Sequence, residues 1–154
     1  MKNLPYKFGH WVIVCKENVS EYERSVMSMS PMGSSENIHK MLRERILSED
    51  VERMYVVCLD GRSRVKMLHE VSRGGLHGCS MSARDILRIP VMCAASAFVL
   101  VHNHPSGDPT PSPEDIGLTR KVIEASGVMG IPLVDHVIIG GMESYASMFE
   151  RGLM

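Results

Sequence analysis

The sequence lacks the features that would assign it to several special classes of protein. It has no C-x-x-C pair, and its four scattered cysteines (Cys15, Cys58, Cys79 and Cys93) argue against a disulfide framework or a cysteine-based zinc site. No apolar run is long enough to span a membrane, and the first residues contain no signal-peptide core. We therefore expect a soluble, intracellular protein located in the cytoplasm.

The chain also lacks an excess of charge of either sign. Its formal net charge is -1 with the histidines counted as neutral, and aromatic residues make up only 5% of it. Domains that bind nucleic acids usually carry a basic surface, and basic and aromatic residues are not interleaved here. Association with DNA or with an anionic membrane therefore has no support from charge.

What remains is ordinary for a globular protein. The 154 residues, 44% of them hydrophobic and 23% charged, are enough for one domain with a substantial core. Hydrophobic periodicity predicts helices over 36–48, 82–95 and 113–127. It predicts strands over 10–15, 51–60, 63–71, 76–79, 97–101, 131–139 and 145–149, and an irregular extended segment over 21–27. Because these elements do not alternate strictly, we predict one α/β domain with a mixed sheet flanked by helices.

The most informative stretch follows the apolar run 97–101. Side chains on a strand alternate between its faces, so His102 and His104 should point the same way at its end. A Pro/Gly-rich loop follows, and Ser112 is placed to cap the next helix. Asp115 can then lie beside the two imidazoles. Two histidines and one carboxylate, without a fourth protein ligand, are typical of an open zinc site that leaves a position for water.

Each part of this motif also has a purely structural interpretation. Ser112 and Asp115 lie three residues apart at a helix start, so they can form a capping pair. His102 can be a core histidine with an internal hydrogen bond, and H-x-H pairs also arise by chance. From the residues alone, a metal site and a structural motif are both open.

The wider sequence resembles the RadC family of JAMM/MPN metalloprotease-like domains. His102-x-His104, seven residues, Ser112, two residues and Asp115 match the HxHx(7)SxxD signature of these domains. The resemblance extends over about residues 30–153 and includes the text HNHPSGDPTPS and the later segment PLVDHVIIG.

The resemblance implies the fold and the domain division. It implies a single MPN/JAB-like (cytidine-deaminase-like) domain over 35–154, preceded by an N-terminal extension of uncertain structure over 1–34. Longer RadC-like proteins carry a helix-hairpin-helix-type region, for which residues 1–34 are too short. Any link to nucleic acids that rests on that region is therefore weakened.

Domains of this type also use an upstream glutamate, and Glu52 holds that position before an apolar strand. Without the resemblance, Glu52 would be taken for a solvated carboxylate at a strand edge. Glu70 lies later, within the second strand, and Glu114 should point about 100° around the helix from Asp115. The resemblance implies a Zn²⁺-dependent hydrolase that cleaves a peptide or isopeptide amide in a protein or peptide substrate. It assigns these roles: His102, His104 and Asp115 bind the metal, Glu52 transfers protons, and Ser112 hydrogen-bonds the oxyanion.

Two functions of other classes remain open. A non-catalytic MPN-type scaffold would be expected to lack ligands, and here all of them are present. A DNA-repair-associated role follows only from the traditional label of the family. Among the other histidines, we expect a structural hydrogen bond for His136, and surface or loop roles for the rest: His10, His39, His69 and His77.

Overall fold

The computed structural model describes residues 34–47, 50–74 and 81–154. The strands predicted over 10–15 and 76–79, the extended segment predicted over 21–27, and residues 1–33 of the predicted N-terminal extension lie outside these ranges. The described elements, in chain order, are helix α1 (Ser35–Ile46), strands β1 (Arg53–Leu59) and β2 (Val65–Arg73), helix α2 (Ala83–Met92), strand β3 (Ala97–Asn103), helix α3 (Pro113–Met129), strand β4 (Leu133–Ile139) and strand β5 (Tyr145–Ser147). Within the described ranges, no helix has both the length and the apolar character that crossing a membrane requires.

The described strands form one mixed sheet in the order β2-β1-β3-β4-β5. Strand β1 pairs antiparallel with β2 and with β3, β4 pairs parallel with β3, and β5 pairs antiparallel with β4. Strands β1 and β3 are buried almost throughout, as expected for central strands that are covered on both faces. The structure confirms the predicted α/β class with a mixed sheet flanked by helices.

The two faces of the sheet are distinguished by odd and even residue numbers in β1 and β3. The odd-numbered residues pack with α1 in one core cluster: Tyr55, Val57, Leu59, Val99 and Val101. The even-numbered residues pack with α2 and α3 in a second cluster: Met54, Val56, Cys58, Phe98 and Leu100. We call these surfaces the α1 face and the α2/α3 face. Since side chains alternate along a strand, His102 belongs to the α2/α3 face.

Several element boundaries differ from the predictions. The predicted stop of α3 at Gly127 is wrong, because the helix continues to Met129 and ends at Gly130, which has the left-handed φ of 68° that favours glycine. Helix α2 ends at Met92 and does not reach Ala95, since Ala94 adopts a positive φ of 49°. Strand β3 extends two residues beyond the prediction, so that His102 lies within the strand.

Candidate metal centre

Strand β3 and the start of α3 bring His102, His104 and Asp115 together. His102 lies near the end of β3, His104 directly follows the strand, and Asp115 is the third residue of α3. The Nε2 atoms of the two histidines are 3.0 Å apart. Nε2 of His102 lies 3.1 Å from Oδ1 of Asp115, and Nε2 of His104 lies 3.3 Å from Oδ2. These three side chains form a group that can hold a metal ion.

The spacing of these donor atoms fits a small tetrahedral cation. Ligand atoms about 2.0 to 2.1 Å from a tetrahedral zinc lie roughly 3.3 to 3.4 Å from one another. The three measured separations, 3.0, 3.1 and 3.3 Å, are close to that edge length. His102 and Asp115 are buried, each with 1% of its side chain exposed, whereas 14% of the His104 side chain is exposed. His104 is therefore the member of the group that lies nearest to solvent.

The tautomer of His104 is determined by a backbone acceptor. Its Nδ1 lies 2.8 Å from the carbonyl oxygen of Asp108. A carbonyl oxygen can only accept, so Nδ1 of His104 carries the hydrogen and donates it. Nε2 is then left with the lone pair, and this atom faces Asp115. A histidine held in this way is a typical metal ligand.

Ser112 and Asp115 form the capping box that the sequence predicts at the start of α3. The Ser112 backbone N–H and hydroxyl donate to Oδ2 of Asp115 at 2.8 and 2.6 Å, and the Asp115 N–H donates to Oγ of Ser112 at 3.1 Å. Burial alone would raise the pKa of Asp115, but the adjacent His102 ring and the hydrogen bonds from Ser112 outweigh it and hold the pKa well below its ordinary value. The cap therefore aims an ionised carboxylate at the two imidazoles.

Glu52 is brought next to this group by the pairing of β1 with β3. Met54 lies directly opposite His102 in the antiparallel register, and Glu52 is two residues earlier, where side chains point to the same face. Glu52, Met54 and His102 line one small cavity, together with Arg53 and Ser72. Its volume of about 10 Å³ corresponds to roughly one water molecule.

The two rival glutamates lie elsewhere. Glu70 accepts a hydrogen bond of 2.6 Å from the hydroxyl of Tyr55, and its carboxylate lies 3.6 Å from Nη1 of Arg53. Tyr55 belongs to the core cluster on the α1 face, so Glu70 is held on the opposite side of the sheet from His102. Glu114 is exposed near the start of α3.

Asn103 is a site residue that sequence reasoning missed. Its Oδ1 accepts from the backbone N–H of Arg53 at 2.8 Å, and its Nδ2 donates to the carbonyl oxygen of Val51 at 3.1 Å. These two bonds hold the backbone on both sides of Glu52. The carbonyl oxygen of Glu52 itself accepts from the N–H of Gly74 at 2.8 Å. The sequence signal for Asn103 is its position between His102 and His104. Its hydrogen-bond partners lie about 50 residues away in sequence, so the sequence alone does not indicate these bonds.

His136 makes the structural hydrogen bonds that were expected of it. Its Nε2 lies 2.8 Å from Nδ1 of His102, and its Nδ1 lies 2.6 Å from Oγ1 of Thr119. Complete burial lowers the pKa of His136 well below its ordinary value, which keeps the ring neutral. Thr119 was not singled out from the sequence, because a threonine within a helix carries no signal of its own.

The expected surface or loop role of His39 is wrong. His39 is 3% exposed, its Nε2 lies 3.0 Å from the carbonyl oxygen of Gly141, and its ring stacks on Tyr145 at 4.7 Å. It lies next to Ile38 on the buried face of α1, which packs against the sheet. His39 therefore fastens α1 to the turn between β4 and β5.

Together, the mixed sheet, the H-x-H pair at the end of its central strand and the capped aspartate define a JAB-type domain. Residues 32–153 match the family model of the RadC-like JAB domain, and the chain belongs to this family. The resemblance stated from the sequence is thereby confirmed.

Similar proteins are identical to this chain at about two fifths of the aligned positions. A UPF0758 protein of Syntrophomonas wolfei is 42% identical over 125 residues, which cover 81% of this chain and 53% of the relative. A UPF0758 protein of Pelobacter propionicus is 46% identical over 107 residues, covering 68% of this chain and 46% of the relative. The chain spans about half the length of the curated relatives that it matches.

Proposed function

We propose that the protein is a zinc-dependent hydrolase that cleaves a peptide or isopeptide amide. The observation that carries this proposal is the convergence of Nε2 of His102, Nε2 of His104 and the Asp115 carboxylate at separations of 3.0 to 3.3 Å. Two imidazoles and one carboxylate, with one side open, are the donor set of hydrolytic zinc sites. Because the same donor set also holds Fe(II) in some oxygenases, the identity of the metal is part of the test.

Bound zinc would act as a Lewis acid toward the substrate carbonyl and lower the pKa of water toward about 7. In this proposal Glu52 acts as the general base and acid. Its carboxylate takes one proton from the attacking water as the water oxygen bonds to the carbonyl carbon. When the C–N bond breaks, Glu52 returns that proton to the leaving nitrogen. The cavity shared by Glu52 and His102 supports this role, since it has room for about one water.

Ser112 is proposed to hydrogen-bond the oxyanion of the tetrahedral intermediate. In the structure its hydroxyl hydrogen is donated to Oδ2 of Asp115 at 2.6 Å. Donation to substrate therefore requires the hydroxyl to turn away from Asp115, while the backbone N–H of Ser112 continues to hold the carboxylate. Ser112 would then serve both as the helix cap and as an oxyanion donor.

The metal is tested on the purified chain by elemental analysis after dialysis against zinc, iron and a metal-free buffer. We expect about one zinc per chain, and its loss in His102→Ala and Asp115→Ala. Iron bound in preference to zinc, or the same metal content in wild type and His102→Ala, would contradict the proposal.

The reaction is tested on peptide and isopeptide libraries with Glu52→Gln. This variant should keep its zinc and lose about 100-fold to 10,000-fold in hydrolysis rate, the usual contribution of a general acid–base group. The matched control is Glu114→Gln, because Glu114 is an exposed glutamate next to Asp115 and outside the proposed machinery. Equal rates for Glu52→Gln and wild type would rule out Glu52. A zinc-loaded chain that cleaves no library member would instead favour the scaffold function.

A further inference from the structure

We infer that Thr119 and His136 are positioning residues, which place a hydrogen on Nδ1 of His102 and so keep its Nε2 as the metal-ligating nitrogen. This positioning role rests on the proposed function, because it requires that His102 binds a metal. The hydrogen bonds themselves are present in the structure whether or not a metal binds. They run from His102 through His136 and Thr119 to the backbone of Asp115, within the core on the α2/α3 face.

The direction of these bonds is decided at the Asp115 end. Oγ1 of Thr119 lies 2.6 Å from the carbonyl oxygen of Asp115, one helical turn earlier on α3. Two oxygen atoms at this separation repel each other unless a hydrogen lies between them. The carbonyl cannot supply that hydrogen, so the single hydroxyl hydrogen of Thr119 must point at Asp115. Oγ1 of Thr119 is then an acceptor toward any other partner at this distance.

The next bond follows from this. Nδ1 of His136 lies 2.6 Å from Oγ1 of Thr119, whose hydrogen is already committed. Nδ1 of His136 must therefore carry a hydrogen and donate it. His136 is completely buried, with Nδ1 against the Thr119 hydroxyl and Nε2 against the His102 ring, so neither nitrogen contacts a carboxylate that would stabilise a second hydrogen on the ring. Its Nε2 is consequently an acceptor.

The last bond determines how His102 is presented. Nε2 of His136 lies 2.8 Å from Nδ1 of His102, so Nδ1 of His102 must donate. His102 then directs Nε2 at His104 and Asp115, as a metal ligand requires. His104 reaches the same state through the carbonyl oxygen of Asp108. The two ligands differ in what fixes their tautomers. The partner of His104 is a backbone carbonyl, which can only accept a hydrogen bond. The partner of His102 is His136, which can accept through Nε2 only while Thr119 keeps its hydrogen on Nδ1.

The surroundings of His136 keep its ring in this place. Its backbone N–H donates to Oδ1 of Asp135 at 2.7 Å, and its carbonyl oxygen accepts from the N–H of Met148 at 3.0 Å. Sδ of Met148 lies 3.4 Å from Oγ1 of Thr119 and occupies the space beside the hydroxyl. Outer partners of this kind orient metal-bound histidines, and their loss typically weakens metal affinity about 10-fold to 100-fold.

The first experiment reads the tautomers directly. Long-range ¹H–¹⁵N correlation spectra of the metal-free chain at pH 8 report which ring nitrogen of each histidine carries hydrogen, with signals assigned from His136→Asn and His102→Asn. We expect His136 to carry hydrogen on Nδ1 only and His102 to carry one on Nδ1. Hydrogen on Nε2 of His136 would overturn the inference. This measurement needs no variant of Thr119, so it decides even if such variants fail to fold.

The second experiment measures zinc affinity by competition with a chelator. Thr119→Val removes the hydroxyl at nearly constant volume and should weaken zinc binding about 10-fold to 100-fold, with loss of the single His136 tautomer. Thr119→Ser keeps the hydroxyl and should restore both. The matched control is Ser126→Ala, which removes another buried hydroxyl of α3 that donates to a backbone carbonyl, that of Ile123 at 3.1 Å. It should leave zinc affinity within about twofold of wild type.

Different results would contradict the proposed function and the positioning role. A wild-type chain that binds no zinc contradicts the proposed function, while the His136 spectrum still decides the bond directions. A Thr119→Val chain that is folded, binds zinc as tightly as wild type and keeps the Nδ1–H form of His136 contradicts the positioning role.

Discussion

Gly140 packs directly on the backbone of Gly107. A Cβ atom at position 140 would lie 2.9 Å from the carbonyl carbon of Gly107 and 2.8 Å from Cδ of Pro109. The same loop presents the Asp108 carbonyl that fixes the tautomer of His104. The turn after β4 therefore supports the loop that carries a proposed metal ligand.

Gly140→Ala is expected to displace this loop and weaken zinc binding. Since the neighbouring atoms belong largely to backbone, the added methyl group should also lower the free energy of unfolding by about 1 to 3 kcal/mol, the usual cost of overpacking. Chelator competition and urea unfolding measure the two effects. The control is Gly127→Ala, because Gly127 is helical and has open space around it. That change should stabilise the protein by about 0.5 to 1 kcal/mol and leave zinc affinity unaltered. Unchanged zinc affinity in Gly140→Ala would refute the supporting role of the turn.

Ser112→Ala and Ser82→Ala should separate capping from metal binding. Both serines form a capping box with an aspartate three residues later, and both hydroxyls donate at 2.6 Å. Loss of an N-cap serine typically costs about 1 kcal/mol, so we expect similar losses in urea unfolding. Asp115 is buried and faces the two histidines, whereas 42% of the Asp85 side chain is exposed and it lies outside the candidate centre. Only Ser112→Ala should therefore weaken zinc binding, by about 10-fold. Equal zinc affinity in both variants would show that the cap of α3 acts on stability alone.

The parts of the site that are local in sequence could be predicted from it. His102 and His104 share a face because strand side chains alternate, and the Ser112 cap places Asp115 within the first turn of α3. These rules act over a few residues, so the sequence contains all the information they need.

The remaining parts depend on contacts between distant segments. Glu52 approaches His102 only because Met54 pairs with His102, and strand register is set by the packing of whole faces. Periodicity gives no indication of that register, so Glu52 had to come from family resemblance. The partnership of His136 with His102 and Thr119 depends on the parallel pairing of β4 with β3 and on the placement of α3. A threonine within a helix gives no indication in the sequence of the pairing of β4 with β3 or of the placement of α3.

Asn103→Leu should impair hydrolysis more than zinc binding. The variant removes the acceptor of the buried Arg53 N–H and the donor to the Val51 carbonyl, which together hold the backbone around Glu52. An unsatisfied buried N–H costs about 1 to 3 kcal/mol, and the loosened segment should lower the cleavage rate. Asn103→Asp is the informative companion, since it keeps an acceptor for Arg53 and loses only the donor to Val51. Rates are compared at saturating zinc, so that occupancy is equal. A cleavage rate that does not fall in Asn103→Leu would mean that Asn103 does not position Glu52.

The stability of the protein should depend on pH in the alkaline range because of Tyr55. Burial, with the hydrogen bond to Glu70, raises the pKa of Tyr55 to about 12 from an ordinary value of 10.0. The neutral phenol is therefore favoured in the folded state, and its contribution is complete below pH 10 and is lost as the pH rises toward 12. A shift of two pKa units corresponds to roughly 2 to 3 kcal/mol. In urea unfolding from pH 9 to 12, wild type should lose that much more stability than Tyr55→Phe, which cannot ionise there.

The same titration bears on the choice of catalytic glutamate. The hydrogen bond of 2.6 Å from the Tyr55 hydroxyl to Glu70, on the α1 face and away from His102, adds to the effect of burial on the pKa of Tyr55. In Glu70→Gln the tyrosine should ionise at lower pH, read from tyrosinate absorbance near 295 nm, while cleavage should persist because Glu52 is untouched. If Tyr55 instead ionised at the same pH in Glu70→Gln as in wild type, Glu70 would not be held by Tyr55. Glu70 would then return as a rival to Glu52 for the proton transfer.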